Sequence, residues 1–283
     1  LLIAAVGGYM AFHGIITVGV IQAFLLYSKQ FTRPITEIAN QYAQILTAIA
    51  GAERVFEVMD ADPEDAGGNV PLKPEEVRGA LSFRNIDFSY LPGEQVLYDF
   101  NLEVLPGQKI AIVGATGSGK TTVVNLLTRF YDVDSGEIRL DGVDIRELPK
   151  DALRRSIAIV LQDTVLFSDT IAANIRYGRL DATPEEIQAA AKAANADAFI
   201  EQLPDGYNTV LSESGSNLSG GQRQLLSIAR AVLADPKILI LDEATSSVDT
   251  RTEMHIQQAM IALMKNRTSL IIAHRLSTIR DAD

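Results

Sequence analysis

Apolar residues are concentrated in a few stretches of this chain, and the first of these opens the sequence. Residues 1–28 contain no Asp, Glu, Lys or Arg, and the first charged residue is Lys29. As one helix the run would measure about 42 Å, longer than the roughly 30 Å hydrocarbon core of a bilayer. The pattern favours insertion in a membrane, and the alternative is a buried pair of core helices.

Glycines and a histidine interrupt the apolar run near its middle. A polar His13 is costly at the centre of a bilayer and cheap in an exposed turn. We therefore predict that residues 1–12 end one membrane helix, that residues 13–17 form an exterior turn, and that a second helix starts at Val18. The basic residues that follow then lie on the cytoplasmic side, as the positive-inside rule favours.

Beyond the predicted span, apolar residues recur at steps of three and four with polar residues between them, which predicts an amphipathic helix that packs against other helices. Three prolines, a glycine pair and a cluster of acidic residues then predict a linker over residues 61–77. Residues 1–60 are thus predicted to be the C-terminal part of a transmembrane domain. The apolar positions of the amphipathic stretch are Ile35, Ile38, Tyr42, Ile45, Leu46 and Ile49.

After the linker, the pattern predicts strands at 81–90, 101–105 and 109–113 and a helix over 122–130. Between the last strand and the helix lies Gly-Ala-Thr-Gly-Ser-Gly-Lys-Thr, which satisfies the phosphate-loop pattern G-x-x-x-x-G-K-[ST]. The glycines allow backbone N–H groups to turn onto phosphate oxygens, and the helix directs its positive end at the same anion. The predicted nucleotide-binding residues of this segment are Gly114, Ala115, Thr116, Gly117, Ser118, Gly119, Lys120, Thr121 and Thr122.

A second apolar strand, starting at Lys237, ends in two adjacent carboxylates, Asp242 and Glu243. Four apolar residues in a row are typical of a strand buried on both faces of a parallel sheet. In combination with the phosphate loop, the pair predicts hydrolysis of a nucleoside triphosphate. Asp242 and the hydroxyl of Thr121 are candidate Mg²⁺ ligands, Lys120 is positioned for the β and γ phosphates, and Glu243 is the candidate general base.

Leu-Ser-Gly-Gly-Gln at 218–222 precedes a predicted helix and resembles the signature of ATP-binding cassette (ABC) ATPases. The resemblance covers residues 78–283 and implies an α/β P-loop NTPase fold with a helical subdomain at about 163–232, preceded by transmembrane α-helices. It implies that a second cassette packs head to tail on the first, so that each signature contacts the nucleotide of its partner. The signature residues implied to bind nucleotide are Ser219, Gly220, Gly221 and Gln222.

Further positions match the family pattern in order. The resemblance implies that Tyr90 stacks on adenine, with the ring rather than the hydroxyl expected to matter. It implies that Gln162 links the metal and water to the membrane domain and that His274 contacts the γ phosphate. Residues 246–249 resemble the segment that contacts the partner cassette. The implied catalytic set is therefore Lys120, Gln162, Glu243 and His274, the implied metal ligands are Thr121, Gln162 and Asp242, and the cofactors are ATP and Mg²⁺.

A membrane segment fused ahead of the cassette resembles the exporter type of ABC transporter. The resemblance implies a multi-pass protein of the cell membrane with its cassette in the cytoplasm, and it implies three partners: a second half-transporter, the lipid bilayer and a transported substrate. That substrate, and the choice between homodimer and heterodimer, stay open.

Because membrane helices and closing strands of the family are missing, we expect the chain to be a fragment. Ser212 and Ser214 replace the Gly and Arg that exporter cassettes often carry.

Composition narrows the alternatives. The chain of 283 residues carries 25 Lys and Arg against 36 Asp and Glu, a formal charge of −11, which argues against binding to nucleic acid. With no cysteine there is no disulfide framework, no thiolate zinc site and no thiol nucleophile. Two alternatives to an ATP-driven exporter of a small molecule, lipid or peptide remain: a soluble ABC ATPase of the DNA-repair or chromosome-organising type, and a regulatory half of a heterodimeric transporter.

Overall fold

The chain divides into two units, residues 1–65 and residues 66–283. The structure, a computed structural model, describes residues 2–115, 117–161, 164–243 and 250–273.

The first unit is a pair of helices, α1 (Leu2–Phe12) and α2 (Val18–Met59). They pack together at Gly7, where an added Cβ would lie 3.0 Å from Cγ1 of Ile21, so that glycine permits the close approach. The side chains of α2 are mostly exposed, including the apolar stripe predicted from its spacing. Among the described residues, no helix has both the length and the apolar character needed to cross a membrane.

The second unit begins with a strap, residues 66–70, that is hydrogen-bonded to a later part of the same unit. The backbone N–H groups of Gly68 and Val70 donate to the carbonyls of Leu148 (3.0 Å) and Glu147 (2.9 Å). A Cβ on Gly68 would lie 2.0 Å from the carbonyl oxygen of Glu147, so no other residue fits there without backbone movement. Part of the segment predicted as a linker is therefore an ordered piece of this unit.

An antiparallel sheet forms the first layer of the second unit, with strand order β2-β1-β4-β5 in the described part of the chain. The second strand starts earlier than the expected residue 101, because Pro92 and Gly93 form a two-residue turn that pairs Leu91 directly with Glu94. Gly93 has φ +89°, a left-handed conformation that glycine adopts without strain. The strands are β1 (Leu81–Leu91), β2 (Glu94–Val104), β4 (Ser135–Leu140) and β5 (Val143–Asp144).

A parallel sheet forms the centre of the unit, with order β3-β8-β7-β6 among the described strands. Alternate residues of β7 enter two different cores: Ile238 and Ile240 pack toward the antiparallel sheet, and Leu239 and Leu241 pack on the opposite face. All four are at most 1% exposed, as expected for a strand covered on both sides. The strands are β3 (Lys109–Ile112), β6 (Ile157–Val160), β7 (Ile238–Glu243) and β8 (Thr268–Ala273).

Helices cover both faces of the parallel sheet. The helix after the phosphate loop, α3 (Lys120–Leu127), packs in the core shared with the antiparallel sheet. On the other face, α6 begins with a capping box in which Thr183 and Glu186 satisfy each other's backbone N–H groups. It ends before Asn195, which is left-handed at φ +56°. The remaining helices are α4 (Lys150–Arg155), α5 (Ile171–Arg176), α6 (Pro184–Ala193), α7 (Asp197–Ile200), α8 (Gly220–Ala234) and α9 (Thr250–Met264).

The first residue of β8, Thr268, joins the two sheets. Its side chain is 0% exposed, and its hydroxyl donates to the carbonyl of Gly79 at 2.8 Å and accepts from the N–H of Gly107 at 2.9 Å. Gly79 leads into β1 and Gly107 lies in the turn between β2 and β3. One buried hydroxyl therefore satisfies a backbone acceptor in the segment that leads into β1 and a backbone donor in the turn that connects the two sheets.

We predict that Thr268→Val lowers the free energy of unfolding of the second unit by about 2 kcal/mol, because it leaves one buried carbonyl and one buried N–H without their partner. Thr268→Ser keeps the hydroxyl and is expected to retain most of this stability. Urea unfolding followed by circular dichroism measures both. Equal losses in the two variants would show that the methyl group, and not the hydroxyl, matters at this position.

Candidate functional site

The phosphate loop connects β3 to α3, and its glycines are required by the backbone. Gly117 and Gly119 have φ +83° and φ +86°, in the left-handed region. A Cβ on Gly119 would lie 2.8 Å from Cδ2 of the buried Leu97, and one on Gly114 would lie 2.4 Å from the hydroxyl of Ser118. Left-handed backbone therefore favours glycine at 117 and 119, and close side chains favour it at 114 and 119.

The side chains at the start of α3 divide between the loop and the surface. Lys120 is 7% exposed, and its Nζ donates to the carbonyls of Gly114 and Ala115, both at 2.8 Å. The ammonium group thus lies against the loop that it follows. Thr121 is exposed, whereas Thr122 is buried and its hydroxyl is bonded to Tyr90.

The strand register brings Asp242 of β7 to the same end of the parallel strands as the phosphate loop. Ile272 of β8 pairs with Ile112 at the end of β3 and also with Asp242 in β7. With neighbouring strands about 4.8 Å apart, the end of β3 and Asp242 lie about 10 Å from each other across one intervening strand. Asp242 is half-buried there.

Several predicted site residues lie outside the described residues: Thr116 in the loop, Gln162, His274 and residues 246–249. Glu243 is described only through its backbone, which ends β7 and pairs with Ala273. The predicted site residues whose side chains the structure describes are the rest of the phosphate loop, Tyr90, Asp242 and the signature.

Tyr90 lies at the end of β1 against α3. Its side chain is 43% exposed, and its ring meets those of Phe88 and Tyr131 edge-on, with centroids 4.9 and 5.1 Å away. Its hydroxyl donates to Oγ1 of Thr122 and accepts from Nδ2 of Asn125, each at 3.2 Å.

Asn125 and Tyr131 were missed by the sequence analysis. The available signal was helical spacing, because Thr122 and Asn125 are three residues apart on α3 and so share a face. Nothing in the local pattern pointed to Tyr131, which approaches Tyr90 only through the tertiary fold.

The signature forms the beginning of α8. Ser219 is the exposed residue that caps this helix: its hydroxyl accepts from the N–H of Gln222 at 3.2 Å, and Oε1 of Gln222 accepts from the N–H of Ser219 at 2.9 Å. Gly220 is exposed and Gly221 is buried at the first turn. The side chain of Gln222 thus already serves as part of a capping box.

The helices that follow the signature and the phosphate loop lie on opposite faces of the parallel sheet. Leu218 and Leu225, around the signature, belong to the core formed with α5, α6 and α9. Val123 and Leu126, after the phosphate loop, belong to the core shared with the antiparallel sheet. The structure therefore does not place the two motifs in one core of the same chain.

Farther along α8, Arg230 ties the helix to the segment that follows residue 163. Its guanidinium donates to the carbonyls of Val165 and Asn174, both at 2.6 Å, and to Oδ1 of Asn174. The rings of Phe167 and Tyr177 lie 5.6 and 5.7 Å from it. Burial lowers the pKa of Arg230 from its ordinary value. Hydrogen bonds and ring contacts thus connect the signature helix to this segment, and the sequence analysis did not find this connection.

The departure at position 212 has a local structural role. The N–H of Ser212 donates to Oδ1 of Asn217 at 3.2 Å, and the N–H of Asn217 donates to the hydroxyl of Ser212 at 3.1 Å. Two residues later, the side chain of Ser214 lies outside the described residues. The serine at 212 thus closes the loop that leads to the signature.

The oxygen-rich donor set of the site suits a hard cation. Thr121 offers an exposed hydroxyl and Asp242 a carboxylate, which with phosphate oxygens are the ligands that Mg²⁺ prefers. In the described part of the chain, no group of three or more His, Cys, Asp or Glu side chains could hold a metal ion by itself.

Comparison with known proteins identifies one family. The family model described as ABC transporter matches residues 97–246. Over 282 residues, the chain is 54% identical to an uncharacterized ABC transporter ATP-binding protein, YfiC, of Bacillus subtilis, covering 100% of this chain and 47% of that protein.

Two further relatives have functional names. A fatty acid ABC transporter ATP-binding/permease protein of Mycobacterium bovis is 52% identical, with 99% of this chain and 44% of that protein covered. An ATP-dependent lipid A-core flippase of Syntrophus aciditrophicus is 48% identical, with 98% and 46% covered. The chain thus spans about half the length of these relatives.

A solved structure, that of a bacterial Atm1-family ABC exporter with ATP bound, matches with a TM-score of 0.73 at 40% identity. The match covers 100% of this chain and 50% of that one. The fold and the family thus agree with the motifs on which the site is built.

We predict that Gly119→Ala destabilises the second unit by about 1–3 kcal/mol more than Gly117→Ala, because overpacking adds to backbone strain only at Gly119. Both positions are left-handed, but a Cβ on Gly117 would meet nothing within 4 Å. The matched pair therefore separates steric clash from strain. Thermal and urea unfolding of the two variants measure the difference, and equal stability would contradict the clash with Leu97.

Proposed function

The chain belongs to the ABC transporter family, and we propose that it hydrolyses ATP to drive export of a lipid or other small molecule across a membrane. Membership in the family implies ATP binding by residues of the second unit. The chain spans about half the length of its relatives, so ATP hydrolysis and transport are proposed for it from its residues and from those relatives.

The observation that carries the proposal is the register of β8. Ile272 pairs with the residue two positions before the phosphate loop and with Asp242, so one strand aligns both halves of a nucleotide site. Phosphoryl transfer needs little covalent chemistry from a protein, and positioning of phosphates, metal and water supplies most of the rate. A phosphate loop and a carboxylate at the same end of the parallel strands suit the positioning of phosphates and metal.

Each residue then has a role. The backbone N–H groups of residues 114–119 and the start of α3 hold the phosphates, and Lys120 neutralises charge on the β and γ phosphates. Tyr90 stacks on the adenine. Thr121 and Asp242 would hold Mg²⁺, which when bound neutralises charge that develops on the phosphates. Glu243 is proposed as general base, Gln162 as a further ligand of the metal and its water, and His274 as a contact to the γ phosphate.

We propose that a second half-transporter completes the site. Ser219 and Gly220 are exposed at the start of the 15-residue α8, where first-turn N–H groups lack partners within the helix and favour an anion. The helix that follows the phosphate loop of the same chain packs on the other face of the sheet. The signature, including Gly221 and Gln222, is therefore assigned to the nucleotide of the partner.

The membrane location is proposed from the first unit. Its charge-free run over residues 1–28 and the exposed apolar stripe of α2 suit a transmembrane domain whose other helices cover that stripe. The cassette would then lie on the cytoplasmic side of the cell membrane. The relatives named for fatty acid and for lipid A-core favour a substrate with acyl chains.

Substitutions of the two adjacent carboxylates are predicted to have different effects on ATP binding and hydrolysis. Glu243→Gln cannot accept a proton, so ATP should still bind while phosphate release falls by about 10²–10⁴-fold, the usual contribution of a positioned base. Asp242→Asn should weaken Mg²⁺-dependent nucleotide binding, and added Mg²⁺ should partly restore it. Nucleotide affinity at several Mg²⁺ concentrations and phosphate release, both in full-length protein, test this. Near-normal release from Glu243→Gln would assign the base to another group.

Ser219→Arg is predicted to leave ATP binding by an isolated monomer intact but to abolish ATP-dependent dimerisation and turnover. The bulky cation would occupy the place of the partner's γ phosphate. Gln257→Arg, an exposed change on α9 with the same added charge, is the control and should be neutral. Loss of monomer binding in Ser219→Arg would mean that the signature acts on the nucleotide of its own chain.

A further inference from the structure

The ring of Tyr90 is in contact with two other aromatic rings. Its ring meets Phe88 at 4.9 Å with an interplanar angle of 87°, and it meets Tyr131 at 5.1 Å with an angle of 89°. Phe88 and Tyr131 also contact each other, with centroids 5.8 Å apart. Three rings therefore form a closed cluster in which edge-on contacts oppose rotation of any one of them.

The hydroxyl of Tyr90 adds a second restraint. It donates to Thr122 and accepts from Asn125, and both partners lie on α3, the helix that begins at Lys120 of the phosphate loop. Tyr90 itself lies next to the last residue of β1, in a different layer. The two hydrogen bonds therefore restrain the distance between the Tyr90 ring and the helix that follows the phosphate loop.

We propose that Tyr131 and Asn125 are positioning residues for nucleobase recognition, acting through Tyr90. Tyr131 fixes the plane of the Tyr90 ring, and Asn125 fixes its hydroxyl relative to α3. The proposal rests on the proposed function, since it requires that Tyr90 stacks on the base. It also changes the expectation that only the ring of Tyr90 matters, because the hydroxyl joins the base platform to the phosphate helix.

The physical reason is preorganisation. A half-exposed tyrosine that is free to rotate must lose that freedom when a base stacks on it, and immobilising one such side chain weakens binding by about three- to tenfold. A ring already held by neighbours avoids this loss. The phosphates bind to backbone groups of the loop and do not depend on the ring.

The experiment is a double-mutant cycle in the full-length protein, with affinity measured for Mg-ATP and for Mg-tripolyphosphate, which has no base. Tyr131→Leu removes the ring and Tyr131→Phe keeps it; Asn125→Ala removes the donor to the hydroxyl. Each change is made in the wild-type and in the Tyr90→Ala background. Tyr90→Phe is also combined with Asn125→Ala.

We expect Tyr131→Leu and Asn125→Ala each to weaken ATP binding by about three- to tenfold with tripolyphosphate affinity unchanged, and Tyr131→Phe to resemble wild type. In the Tyr90→Ala background neither change should matter further. Asn125→Ala should add nothing to Tyr90→Phe.

Two results would overturn the inference while ATP still binds to the wild type. An equal loss of tripolyphosphate affinity would mean that the variants disturb the phosphate loop, and full additivity with Tyr90→Ala would mean that they act independently of the ring. Absence of ATP binding by the wild-type protein would instead refute the proposed function and the inference with it.

Discussion

The pairing of Ile272 with both Ile112 and Asp242 is the constraint on which the site depends. Side chains of a strand alternate between the two faces, so a slip of one residue would move every apolar side chain of β8 into the wrong core. Leu270 and Ile272 fill one core and Ile271 fills the other, so burial on both faces opposes such a slip. The register that packs the sheet is therefore also the register that aligns the phosphate loop with the carboxylate.

At the other end of β8, hydrogen bonds of Thr268 also hold the strand in place. Thr268 bonds to the backbone before β1 and to the turn before β3, while its own N–H donates to the carbonyl of Lys237 at 3.1 Å. The antiparallel layer, which supplies Tyr90, is thus anchored to the strand that aligns the phosphate loop. Tyr90 and the phosphate loop belong to different sheets, and the hydroxyl of Thr268 is a polar link between these two layers.

Local elements of this fold were predictable from sequence, and long-range pairing was not. The glycine spacing located the loop between β3 and α3, and the apolar run after Lys237 located β7, because both signals are contained in a few consecutive residues. β8 lies between β3 and β7 and so joins segments that are distant in the chain. The periodicity of apolar residues does not predict such strand order. The early start of β2, directly after the two-residue turn at Pro92 and Gly93, depended on cross-strand partners. Contacts of Tyr90 with Tyr131, and of Arg230 with Val165, likewise arise only from packing.

The order of strands has a consequence for synthesis. In the described sheet, β8 lies between β3 and β7 but follows both of them along the chain. A ribosome therefore releases β3 and β7 before the strand that separates them exists, and their hydrogen-bonding edges stay open meanwhile. Open apolar edges attract other nascent chains. The sheet therefore cannot close until β8 has left the ribosome, and its edges stay open longer than in a sheet whose strands pair in chain order.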